Sequence, residues 1–116
     1  MDIETLKIRL ATRPGATQDN PFGPEAMVYR VGGKMFALVA TDHEPFRVNL
    51  KCDPDEAEAL RAEFTSIIPG YHMNKRHWNT VILDGTVPDD VVESMIYSSY
   101  ELVFGALPNS VRDSLA

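Results

Sequence analysis

The sequence predicts an α+β fold, a two-layer sandwich in which helices cover an antiparallel β-sheet, and three observations predict it. Two β-rich runs, Ala26–Val31 and Lys34–Ala40, flank Gly32-Gly33, a pair that tolerates the positive φ a tight hairpin turn demands. Helix-period segments stand before, between and after the strands. Hairpin connections make neighbouring strands antiparallel, and amphipathic helices need a face to cover. The predicted order is α-β-β-β-α-β-(β)-α.

Residues 2–12 read as a helix, with Ile3, Leu6 and Leu10 at helical spacing and Arg13-Pro14-Gly15 as the stop. Residues 16–25 contain Asn20-Pro21-Phe22-Gly23-Pro24 and read as a turn-rich connection. After the hairpin, residues 46–51 alternate with period two and bury Phe46, Val48 and Leu50. Asp53-Pro54-Asp55-Glu56 is a helix start: Asp53 caps, Pro54 suits the first helical position, and Glu56 can return the capping-box bond. That helix buries Ala57, Leu60 and Phe64 and is expected to stop before Pro69-Gly70. Residues 78–83 form a strand ended by Asp84-Gly85. The longest helix opens at residues 86–89 and carries Val92, Met95, Ile96, Ser99, Val103 and Ala106 on one stripe. Pro108 interrupts it, and residues 111–115 add a short terminal helix.

At 116 residues the chain makes one domain with a core that needs no staple. Its 44% apolar and 24% charged content is that of an ordinary globular protein. The single cysteine, Cys52, excludes an intramolecular disulfide. No apolar run approaches the roughly 18 residues of a membrane span, and the amino terminus lacks a signal-peptide core. These features predict a cytoplasmic protein with no membrane partner.

The formal net charge is -6, yet charge is segregated along the chain. Windows 26–41 and 64–83 contain no acid and hold Arg30, Lys34, Lys75 and Arg76. Within the second window, His72-Met73-Asn74-Lys75-Arg76-His77-Trp78-Asn79-Thr80 combines two cations, two imidazoles, two asparagines and the only tryptophan. Lys75 and Arg76 suit phosphates, Asn74 and Asn79 suit polar edges, and His72, His77 and Trp78 can stack. Strand alternation sets Trp78, Thr80 and Ile82 against Asn79, Val81 and Leu83; both sets contain apolar residues, so periodicity does not choose the core side. A large aromatic ordinarily seeks burial, which favours Trp78 in the core.

Catalytic chemistry does not assemble from these residues. His72 and His77 are five apart with no nearby carboxylate or thiolate to complete a metal shell. Cys52 follows a strand and reads as a small buried hydrophobe rather than a nucleophile. Asp89-Asp90 stand at a helix start, where they complement the dipole. No nucleophile elbow or phosphate loop is present, so no enzyme and no cofactor are expected.

Several segments together carry a family resemblance: Thr12-Arg-Pro-Gly15, Asn20-Pro-Phe-Gly-Pro-Glu25, Val31-Gly-Gly-Lys-Met-Phe-Ala-Leu38, Val48-Asn-Leu-Lys-Cys-Asp-Pro54, Ile68-Pro-Gly-Tyr-His-Met-Asn-Lys-Arg-His-Trp-Asn-Thr80, Leu83-Asp-Gly85 and Ser98-Ser-Tyr100. With them the chain resembles the MmcQ/YjbR family of small bacterial proteins over essentially its whole length. The resemblance implies a fold similar to the bacterial frataxin homologue CyaY and to type III secretion chaperones. It also implies weak, non-catalytic DNA binding through Lys34 at the hairpin and through Asn74, Lys75, Arg76 and His77. His72, Trp78, Asn79 and Thr80 are then a structural signature. The alternative is a protein- or peptide-binding module of chaperone-like or frataxin-like architecture.

Overall fold

The computed structural model describes residues 1–71 and 73–115. In chain order these form α1 (Ile3–Ala11), β1 (Thr17–Asp19), β2 (Ala26–Val31), β3 (Lys34–Ala40), β4 (Arg47–Lys51), α2 (Pro54–Glu63), β5 (Ile67–Pro69), β6 (Trp78–Ile82), α3 (Asp89–Gly105) and α4 (Asn109–Leu115). The six strands make one antiparallel sheet in the order β1-β2-β3-β4-β6-β5. The expected two-layer α+β architecture is the one found.

Local chemistry accounts for the element boundaries. Asp2 and Asp53 cap α1 and α2, each accepting backbone N–H bonds from the first turn, and Pro54 occupies the opening position of α2. Gly32 and Gly33 turn the β2–β3 hairpin with φ of 58° and 79°, the backbone the Gly-Gly pair was expected to supply.

Alternation then divides the sheet into two faces. Tyr29, Val31, Ala37, Val39, Val48, Leu50, Ile67 and Val81 point into one core with Leu6 and Leu10 of α1 and Val92, Met95, Ile96, Tyr100 and Val103 of α3. The β2–β3 register steps between the pairs Tyr29↔Ala37 and Arg30↔Met35, so Phe36 is an extra, unpaired residue. This bulge lets both Phe36 and Ala37 join the core. Phe36 then meets Tyr100 edge-on at 5.4 Å, and Tyr100 stacks on Phe104 at 5.6 Å.

One buried hydroxyl splices a helix into the sheet. Ser99 Oγ of α3 donates to Phe36 O at 2.6 Å and accepts from Lys51 N–H at 2.8 Å. It thereby satisfies two backbone groups where β3 and β4 part beyond the pair Ala37↔Leu50.

Four details depart from expectation. Residues 17–19 form the edge strand β1 rather than part of a loop. The second helix ends at Glu63, because Phe64 is extended (φ -122°, ψ 121°) and Ile67 pairs with Val81 in β5. Cross-strand pairing of β-branched residues outweighs helix continuation there. Ala106 is the exposed cap of α3, not part of its buried stripe. Leu60, Phe64 and Phe46 are only half-buried.

Candidate functional site

The register brings the two cationic windows to one end of the sheet. Lys34 begins β3, Lys51 ends β4 opposite Trp78, and Trp78 begins β6. Only β4 separates β3 from β6, so the hairpin and the start of β6 emerge at the same end of the sheet about 10 Å apart. Among the described residues, Lys34, Lys51, Lys75 and Arg76 have no carboxylate oxygen within 4.0 Å; the ion pairs lie on α1, α3, the β1–β2 ladder and the His43–Asp42 contact. The acidic start of α2 leaves the same end, on the helix layer.

The segment leading into β6 is a built loop. Lys75 Nζ donates to Gly70 O at 3.2 Å, and Asn74 Oδ1 accepts Arg76 N–H at 3.0 Å. Arg61 reaches from α2 and donates to Lys75 O at 3.2 Å. His77 is half-buried; its N–H donates to Asn74 O and its carbonyl accepts Cys52 N–H at 2.7 Å. Gly70 is required by close approach: a Cβ there would fall 2.7 Å from Trp78 Cβ. Asn74 and Lys75 thus combine loop-building bonds with exposed positions, while Lys34 and Arg76 stand exposed. His72 lies outside the described residues.

The open face decides the orientation that periodicity left undecided. Asn79 and Val81 point to the helices, where Asn79 Nδ2 donates to Ala57 O at 3.3 Å. Asn79 Oδ1 is buried with no hydrogen-bond partner among the described residues. Trp78 and Thr80 point the other way; Trp78 is half-buried, so it is not a core tryptophan. Thr80 is fully buried and central to a polar bridge. Its Oγ1 donates to Asn49 Oδ1 at 2.5 Å and accepts Tyr71 N–H at 3.0 Å, while Asn49 Nδ2 donates to Leu38 O at 3.3 Å. Through this bridge Tyr71 is fixed above the sheet, where it and Met73 form a wall.

Between that wall and the β1–β2 loop lies an open groove of about 760 Å³. Ala26, Met35, Leu38, Ala40 and Asn49 line it from the strands, with Phe22 from the β1–β2 loop and Tyr71 and Met73 from the wall. Arg30 stands toward the hairpin end, and Glu25, Asp42 and His43 stand toward the other. Phe22 is 74% and Tyr71 51% exposed. The Tyr71 ring meets His43 edge-on at 6.3 Å. Sequence reasoning missed Lys51 and this groove; Phe22, an aromatic residue set among prolines and a glycine, was its clearest trace. A smaller crevice of about 430 Å³ between α1 and α3 is crossed by the Arg9–Glu93 ion pair at 2.6 Å.

Reactive chemistry is muted across the described residues. Burial pushes the Cys52 thiol up to about 11, and the nearby Glu56 and Asp53 push the same way. Asp84, in the loop after β6, is held down at about 2 by hydrogen bonds from Ser66, then from the Thr86 hydroxyl and backbone. Among the described residues no three His, Cys, Asp or Glu side chains gather as a metal shell, and no helix is long and apolar enough to cross a membrane.

Fold and site together define a small two-layer α+β protein with one sheet face sealed by helices and the other open and grooved. The chain belongs to the YjbR family, whose model matches residues 11–102. It is 34% identical over 115 residues to the uncharacterized protein YjbR of Escherichia coli K12, covering 99% of this chain and 98% of that one. It is 38% identical over 87 residues to the uncharacterized protein YbdF of Escherichia coli O157:H7, covering 75% and 71%. The crystal structure of Deinococcus radiodurans DR2400, a DUF419 domain, superposes with a TM-score of 0.90 at 38% identity, covering 97% of this chain and 86% of that one. A Pseudomonas syringae protein matches with a TM-score of 0.78 at 26% identity, covering 89% and 99%.

Proposed function

We propose that the protein is a non-catalytic, cytoplasmic DNA-binding module that holds the phosphate backbone weakly with the basic end of its sheet. The observation that carries this reading is the gathering of Lys34, Lys51, Lys75 and Arg76 at one end without a carboxylate partner among the described residues. Such cations contribute affinity by releasing counterions from phosphate. The net charge of -6 and the acidic start of α2 oppose approach, so the interaction is weak and strongly salt-dependent.

Fluorescence anisotropy with labelled duplex and single-stranded oligonucleotides, at about 50 and about 200 mM salt, tests this. Four phosphate contacts give a log-log salt slope of about -3 to -4. Lys34→Ala/Arg76→Ala weakens binding without altering the fold. Absence of binding at low salt, or unchanged binding in that variant, overturns the reading. The groove favours a second reading, a protein- or peptide-binding module, which uses a different surface.

A further inference from the structure

We propose that the groove on the open sheet face receives a basic amphipathic segment of a partner protein. Three features of the groove specify that occupant: apolar character, charge and construction.

Leu38, Ala26 and Ala40 give the groove a flat aliphatic surface, and Met35 and Met73 add two thioethers. Methionine side chains are unbranched and adaptable, which suits apolar groups of varied shape. Phe22 stands at the rim 74% exposed, a costly disposition for an isolated aromatic and the usual one for an interface anchor. The volume of about 760 Å³ accommodates several side chains from one helical face.

The charge around this surface is acidic. Glu25 and Asp42 line it, and neither has a Lys or Arg nitrogen within 4.0 Å among the described residues; Asp42 has only the His43 imidazole at 3.7 Å. The one Lys or Arg in the lining, Arg30, is already bonded to Asp19 at 3.2 Å. With Arg30 already paired to Asp19, the Glu25 and Asp42 carboxylates face the groove without a Lys or Arg partner among the described residues, and Lys or Arg on the occupant completes the balance. A nucleic acid strand is disfavoured by the same arithmetic. Because the groove lies on a sheet face rather than an edge, recognition falls to side chains, as in helix-in-groove binding. The Thr80–Asn49–Tyr71 bridge holds the wall in place before any ligand arrives, lowering the ordering cost of association.

The test uses the intact protein and a labelled helical peptide of about 15 residues with leucines at i, i+3, i+4 and i+7 and lysines elsewhere. Two controls carry glutamates in place of the lysines, or serines in place of the leucines. The basic amphipathic peptide is expected to bind about tenfold tighter than either control, and to lose about tenfold in Phe22→Ala and in Glu25→Gln/Asp42→Asn. It should also shift the methyl resonances of Met35, Leu38 and Met73. Phe22→Ala should leave oligonucleotide binding unchanged, which separates this site from the basic end. Equal binding of the acidic peptide overturns the charge assignment, and binding retained in both groove variants overturns the location. Absence of binding by every peptide, or a homodimer in solution disrupted by Phe22→Ala, overturns the proposed occupant.

Discussion

The two faces of the sheet are built from the same strands by different rules. Toward the helices, Val39, Val48, Leu50 and Val81 are fully buried against α1 and α3. Toward the other side, the same strands present Met35, Leu38, Asn49 and Thr80, and an open groove replaces a helix layer. The first face is held by burial of apolar area, which is indifferent to direction. On the second, side-chain hydrogen bonds must hold Tyr71 over the sheet, and each bond has one geometry. Disturbing either face should therefore cost stability, but only disturbing the second should also loosen the groove wall.

The largest expected effect lies on the sealed face. Phe36→Ala deletes the ring that the β3 bulge aims into the core and should cost about 3–5 kcal/mol in urea unfolding. A closer comparison sets one buried hydroxyl from each face against the other. Ser99→Ala removes the hydroxyl that bonds Lys51 N–H and Phe36 O, and Thr80→Val removes the one that bonds Tyr71 N–H and Asn49 Oδ1. Each should cost about 1–3 kcal/mol, since each removes a buried hydroxyl that makes two hydrogen bonds. Only Thr80→Val should abolish slow hydrogen exchange at the Tyr71 amide and loosen the groove wall. Equal behaviour of the two variants in that measurement would break the distinction between the faces.

The sealed face was also the more legible in the sequence. Period-two alternation and helical stripes report directly on which residues meet a core, so Val48, Leu50, Val92, Met95, Ile96 and Val103 were readable. Gly32-Gly33 specified its turn chemically. Edges were less legible: Thr17-Gln18-Asp19 has no apolar member to mark it as a strand, yet it pairs with β2. The run Thr65-Ser66-Ile67-Ile68 was absorbed into the preceding helix, although its β-branched residues pointed to a strand. The groove was not legible because its lining comes from segments far apart in the chain that only the fold brings together. The direction of Trp78 was undecided for a related reason: Asn79, not an apolar residue, occupies the helix-facing position beside it.

Titration offers a further contrast, smaller than the core effects. Cys52 is buried, and its thiol is raised from 9.0 to about 11. The unfolded chain loses this proton near pH 9 while the folded protein retains it, so folding stability should fall as pH rises from about 9 to about 11. Cys52→Ala should flatten that alkaline decline in denaturant midpoints measured across the range. The same burial should make Cys52 react with thiol reagents only as fast as the protein opens.

The smallest effect belongs to Asp84, in the exposed loop after β6, and it should appear on the acid side with the opposite sense. Ser66 Oγ donates to its Oδ2 at 2.5 Å, and the Thr86 hydroxyl and N–H donate to Oδ1 at 2.6 and 3.0 Å. These donors favour the charged form and lower the carboxyl from 3.8 to about 2. The stabilising contribution is therefore complete above the unfolded value and is lost as pH falls through about 2. Asp84→Asn should be less stable than the natural sequence at neutral pH, with the difference narrowing from pH 4 downward. A carboxyl resonance titrating near 2 would place the cause in the native loop; one titrating near 4 would show that the donors do not hold the charge. Because the carboxylate is exposed, solvent screens much of this interaction, and the loop should respond to acid locally while the sealed face remains folded.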